Sequence, residues 1–139
     1  MAKVQRLKQI NPSSGSKIAA PNEPVNYEKL RPKFSLEYLQ QGSFCFSTMQ
    51  AEDKKQFAES LFKRRSLTWE EIKKIDRHGL GTEKIARDAI KAPIPGFITD
   101  DVNDFLALRF SGLKPMVGFK KQDVFYILWF DHCFKLYNH

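Results

Sequence analysis

The sequence predicts an α+β domain in which a helical hairpin packs on an antiparallel β-sheet, behind a basic, mostly unstructured N-terminal arm. Three observations carry this. Val124 to Phe130 is an unbroken run of β-branched, aromatic and leucine residues without a charge, the composition of a strand covered on both faces. Residues 51–65 and 68–75 place apolar side chains at helical spacing. Residues 1–33 hold seven Lys or Arg against two Glu, a net of +5 that leaves only +2 of the total +7 for residues 34–139.

The arm, residues 1–33, contains Pro12, Ser13, Ser14, Gly15, Pro21, Pro24 and Pro32 with no sustained period, so no regular element is expected before a partner orders it. Residues 34–139 then form a single domain, and 42% hydrophobic with 13% aromatic residues suits a globular core. Phe34, Leu36 and Tyr38 are predicted to pair with Phe44 and Phe46 as a hairpin across Gln40-Gln41-Gly42.

A first helix is predicted over 51–65. Phe57 with Leu61 and Ala58 with Phe62 are spaced by four, acids lead, and Lys63-Arg64-Arg65 close it as the helix dipole prefers. Thr68-Trp69-Glu70-Glu71 reads as a capping box opening a second helix, with Trp69, Ile72 and Ile75 as its buried stripe and Gly79 and Gly81 as its stop. Residues 82–98 allow a short helix or a strand before Pro93 and Pro95, and are assigned to a loop or short helix. Strands are predicted at 105–110 and 116–119. Lys120-Lys121-Gln122-Asp123 then turns the chain into the apolar strand.

No apolar run approaches the roughly 18 to 20 residues of a membrane span, and the start of the chain lacks a signal peptide's apolar segment. Cys45 and Cys133 form no disulfide framework and read as buried, inert thiols in a reducing compartment. The expected location is the cytoplasm. No spacing of His78, His132, His139, Cys45 and Cys133 matches a zinc pattern, and no phosphate loop, nucleophile elbow or dinucleotide fingerprint is present. Neither a metal nor a cofactor is expected.

Metal-free cleavage of RNA requires a base for the 2′-hydroxyl, cations for the phosphorane and an acid for the leaving oxygen. Arg109, Lys114, His132, Lys135, Tyr137 and His139 lie on or beside the predicted C-terminal sheet and include all three kinds of group. A solvated sheet face for Arg109 and Lys114, a rim aromatic for Tyr137 and a hydrogen-bonded turn histidine for His132 stand beside that reading. In an extended segment Lys135, Tyr137 and His139 share a face, and His132 falls on the other unless a bulge intervenes.

Ile127-Leu128-Trp129-Phe130-Asp131-His132-Cys133-Phe134-Lys135-Leu136-Tyr137 is an apolar strand followed by a histidine and then an aliphatic-Tyr pair. It resembles the C-terminal motif of the RelE/YoeB superfamily of bacterial toxin ribonucleases. The likeness covers residues 51–139. It implies a helical hairpin before an antiparallel sheet, an Arg109 that stabilises phosphate, and His132 and Tyr137 as proton-transfer or base-positioning groups. Lys114 stands where many members carry arginine, and the basic arm and the longer segment between helices and sheet depart from the family pattern. The implied function is a toxin-like, metal-independent endoribonuclease with catalytic Arg109, His132 and Tyr137. Lys114, Lys120, Lys121, Lys135 and His139 are its expected RNA contacts. RNA, free or on the ribosome, and a cognate antitoxin are the expected partners. The alternative is a non-catalytic module of the same fold that binds nucleic acid or protein. Geometry separates the two: for catalysis Arg109, His132 and Tyr137 should converge on one concave surface, and the catalytic reading fails if they point to opposite faces.

Overall fold

The computed structural model describes residues 24–139. Most of the predicted arm, residues 1–23, lies outside the described residues. Its remainder forms a 3-10 turn at Tyr27–Lys29 capped by the Asn26 side chain, and Lys33 already belongs to a strand.

Five strands make one sheet: β1 (Lys33–Ser35), β2 (Thr82–Ala86), β3 (Asp104–Ser111), β4 (Lys114–Lys121) and β5 (Val124–Phe130). Their order is β1-β5-β4-β3-β2. β2 to β5 pair antiparallel in a meander, whereas β1 runs parallel to β5 with Phe34 opposite Phe125. The predicted antiparallel sheet is therefore mixed. The predicted hairpin of Phe34–Tyr38 with Phe44–Phe46 does not form. The free edge of β5 attracts both segments: Phe34 pairs beside Phe125, and the Phe44 carbonyl accepts from Phe130 N at 2.8 Å. β2 occupies part of the stretch assigned to a loop or short helix. Its only buried side chain is Ile85, so it lacks the long alternation that marks a strand in sequence.

The helical hairpin is also corrected. α1 (Ala51–Arg64) is a full helix packed on β3, but α2 (Trp69–Lys73) has five residues. The capping box is present, with Glu71 N donating to Thr68 Oγ1 at 3.2 Å and Thr68 N donating to Glu71 Oε1 at 2.9 Å. A cap starts a helix without setting its length. The Asp76 carbonyl accepts from both Gly79 N and Gly81 N and bends the chain back. A Cβ on Gly81 would lie 2.0 Å from the Ile75 carbonyl oxygen, so only glycine closes this turn. Trp69 and Ile72 become single anchors buried in the core, and α2 rests against the Tyr27–Lys29 turn rather than forming a second helix on the sheet.

The sheet separates two apolar layers. Phe57, Trp69, Ile72, Leu108, Phe110, Phe125, Ile127 and Phe130 fill the α1 side. Ile85, Ile98, Phe105, Val117, Leu128, Trp129, Leu136 and Tyr137 fill the other, covered by irregular chain including Ile90, Ile94 and Val102. A bulge in the β4–β5 pairing sets Val117 opposite Trp129 but Gly118 opposite Ile127. The extra residue, Leu128, reverses the alternation, so Leu128 and Trp129 both enter the second layer. Gly118 permits the crowding, since a Cβ there would meet the Tyr126 carbonyl oxygen at 1.8 Å. Among the described residues no helix is long and apolar enough to cross a membrane.

Candidate active site

A cavity of about 290 Å³ opens on the second face of the sheet, lined by Arg77, His78, Glu83, Arg109, Leu113, Phe134, Tyr137, Asn138 and His139. Two strands, two turns and the C-terminal segment build it. Arg109 comes from β3, where the alternation that buries Leu108 and Phe110 on the α1 side turns it to the opposite side. Glu83 comes from neighbouring β2, Leu113 from the β3–β4 turn, and Arg77-His78 from the turn closed by Gly79 and Gly81.

The C-terminal segment folds around one carboxylate. Asp131 is fully buried, and its Oδ1 accepts from Lys135 N at 2.7 Å and Leu136 N at 3.1 Å. This curls residues 131–136 into a loop instead of a continued strand. His139 is thereby brought back onto the same carboxylate, its Nε2 2.8 Å from Asp131 Oδ2. In the tautomer whose Nε2 donates to Asp131, the free lone pair of the imidazole is on Nδ1. The Tyr137 ring lies against His139, with centroids 4.1 Å apart.

Tyr137 is buried, and its hydroxyl is the one buried side-chain polar atom among the described residues that has no hydrogen-bond partner. A phenol removed from water without a partner is costly, by about 1–3 kcal/mol. Burial pushes its pKa up to about 12; the Arg109 charge opposes this, and Glu83 and Asp131 reinforce it. Tyr137 is therefore a neutral donor at physiological pH. Arg109 Nη1 donates to Glu83 Oε1 at 2.7 Å and Nε to the Leu113 carbonyl at 3.2 Å. Its Nη2 has no partner among the described residues. Arg77 approaches the other Glu83 oxygen at 3.9 Å and donates from Nε to His78 Nε2 at 3.4 Å.

Of the predicted site residues, the fold brings together Arg109, Tyr137 and His139. His132 lies elsewhere, on the α1 side, its Nε2 3.0 Å from the Ser43 carbonyl and 3.1 Å from Thr48 Oγ1. Arg109, His132 and Tyr137 do not converge, so the catalytic reading expected of those three residues fails on geometry. Lys114 Nζ is held by Asp53 at 2.9 and 3.0 Å. Lys120 Nζ pairs with Glu28 at 2.6 Å, and with Lys121 it borders a second, larger groove of about 630 Å³ that also takes in Trp69, Phe97 and Phe105. Lys135 is exposed and borders neither cavity. Cys133, expected to be buried, is exposed, with its Sγ 3.4 Å from His132 Nδ1.

Sequence reasoning missed Glu83, Arg77 and Asp131, and weighed His78 only as a metal ligand. Arg77-His78 beside Gly79 and Gly81 was a readable signal, since charged residues in a glycine-closed turn are commonly displayed for binding. Among the described residues no three His, Cys, Asp or Glu side chains gather as metal ligands. Compared with known proteins, the chain matches no family, no curated sequence and no solved structure.

Proposed function

We propose that the protein binds RNA and cleaves it without a metal at this cavity, with His139 in the proton-transfer role that the family resemblance implied for His132. One observation carries it: the partnerless Tyr137 hydroxyl is buried beside the Asp131–His139 pair, in a cavity that also presents Arg109. A catalytic role is among the physical reasons for a buried polar group to stand without a protein partner.

His139 Nδ1 takes the proton of a 2′-hydroxyl while Asp131 stabilises the imidazolium that forms. The 2′-oxygen bonds to phosphorus and the bond to the 5′-oxygen breaks, giving a 2′,3′-cyclic phosphate. Arg109 Nη2 meets the charge that accumulates on the equatorial oxygens. Tyr137, protonated throughout the physiological range, gives its proton to the departing 5′-oxygen, and the proton held on the His139 imidazolium returns through water to restore it. The overall positive charge of the chain supports the polyanionic substrate.

End-labelled single-stranded RNA incubated with the protein in EDTA tests this. Cleavage leaving 2′,3′-cyclic ends is expected, abolished by 2′-deoxy substitution at the cut and reduced at least about 100-fold by His139→Ala. Absence of cleavage across a random-sequence RNA pool, or cleavage indifferent to His139→Ala, refutes the assignment.

A further inference from the structure

We propose that the mouth of this cavity binds one unpaired nucleobase, stacked on Phe134 and covered by Leu113, so that the site accepts single-stranded but not duplex RNA. The inference rests on the reading of the cavity as an RNA-cleaving site and names what selects its substrate.

The cavity interior is charged, with Arg77, Arg109, Glu83 and His139, yet two large apolar side chains stand exposed at its border. Phe134 is 43% and Leu113 53% exposed. Both also lie in tight turns of the same face, where a polar residue would satisfy solvent equally well. An apolar rim around an ionic cavity suits a ligand with a flat apolar part and an anionic part, and a nucleotide has both.

The backbone singles out Phe134 further. Its φ is +57°, a left-handed conformation that asparagine or glycine adopts easily and a bulky side chain adopts only at about 1–3 kcal/mol. The two amide bonds to Asp131 Oδ1 hold the loop in that shape. Neither bond involves the Phe134 side chain, so an asparagine there would keep the loop and relieve the strain. The phenyl ring is carried against a local penalty, in a position where it covers no core.

Phe134 also stands edge-to-face with His139, centroids 5.0 Å apart at 86°. A base stacked on the ring places its own ribose next to the imidazole, which is where a 2′-hydroxyl has to be for proton removal. A base within a duplex is stacked on its neighbours and has no free face for the ring.

The test is binding of a short RNA that is 2′-deoxy at every candidate cut and carries 2-aminopurine, followed by fluorescence, with wild type, Phe134→Asn and Phe134→Trp. The wild type should bind and quench the probe, Phe134→Trp should hold comparable affinity, and Phe134→Asn should bind about tenfold more weakly while melting at or above the wild-type temperature. The fully paired duplex should compete at least about tenfold less well than the single strand. Equal affinity of wild type and Phe134→Asn, or equal competition by the duplex, overturns the stacking subsite and leaves RNA cleavage standing. Failure of the wild type to bind any single strand overturns both.

Discussion

Arg64, fully buried on α1, donates from Nη2 to the carbonyl oxygen of Arg109 at 3.0 Å. Its Nε donates to the Leu80 carbonyl at 3.0 Å. Its partners are thus main-chain carbonyls, and burial lowers its pKa to about 10, which leaves it charged at neutral pH. One planar fork ties the helix to the strand that carries Arg109 and to the turn that follows Arg77-His78. Replacing Arg64 by Met should destabilise the protein by about 2–4 kcal/mol, because buried carbonyls lose charged donors. Lysine should not restore it, since one ammonium does not reproduce the fork. Urea unfolding of the three proteins checks this.

The proposed site gives His139 the proton-transfer role expected of His132, whose Nε2 instead meets Ser43 and Thr48, and paired substitutions distinguish the two. His139→Ala should lower RNA cleavage by about 10²–10⁴-fold. His132→Ala should leave the cleavage rate near that of the wild type and destabilise by about 1 kcal/mol through its lost bonds to Ser43 and Thr48. Single-turnover rates and melting temperatures measured on both variants provide the comparison, and the reverse pattern would restore His132 as the base.

Asp53 should make stability fall in acid. Burial pushes its carboxyl pKa up, but hydrogen bonds from Lys114 and Ser111 and the Lys114 charge outweigh this and hold it below the ordinary value. A depressed folded-state pKa contributes stability that is complete above about pH 4 and is lost as pH falls through the folded value. Asp53→Asn should therefore be less stable than wild type by about 1–3 kcal/mol at pH 7, and the gap should close in strong acid. Denaturation midpoints across pH 2 to about pH 7 test the sign as well as the size.

Gly118→Ala should be among the most damaging single changes. Its Cβ would overlap the Tyr126 carbonyl, which is main chain and has no rotamer to escape to. A loss of at least about 3 kcal/mol is expected, read by thermal melting. An ordinary melting curve for this variant would mean that β4 and β5 separate more easily at the bulge than the register implies.

What was legible in the sequence was what depends on neighbours along the chain. The β5 run, the Thr68 capping box and the extent of α1 are local patterns. The buried face of α1 was legible in part: Phe57 enters the core and Leu61 packs against it, but Ala58 and Phe62 are exposed and Asp53, Ser60 and Arg64 are buried beside Phe57 instead. Phe62 is 58% exposed, with the Arg65 guanidinium 3.6 Å from its ring centroid. Polar side chains take the inner face because Lys114, Ser111 and the carbonyls of Leu80 and Arg109 await them, and those partners are distant in sequence. The same limit applied to the site. Strand alternation grouped Lys135, Tyr137 and His139 on the premise of a continued strand, which does not form: Tyr137 and His139 meet through a loop wound on Asp131, and Lys135 points elsewhere.

The parallel pairing of β1 with β5 fixes when this protein can finish folding as it is made. Lys33 lies opposite Val124, about 90 residues later in the chain, which at ordinary elongation speeds is a delay of roughly 5–20 s. Through that interval α1 and the early strands lack the strand that fills both apolar layers, and β1 has no sheet to join. Completion of the sheet therefore waits until β5 has been made. A stalled or prematurely ended chain would display two uncovered apolar faces, making chaperone dependence greatest for molecules that stop shortly before Val124.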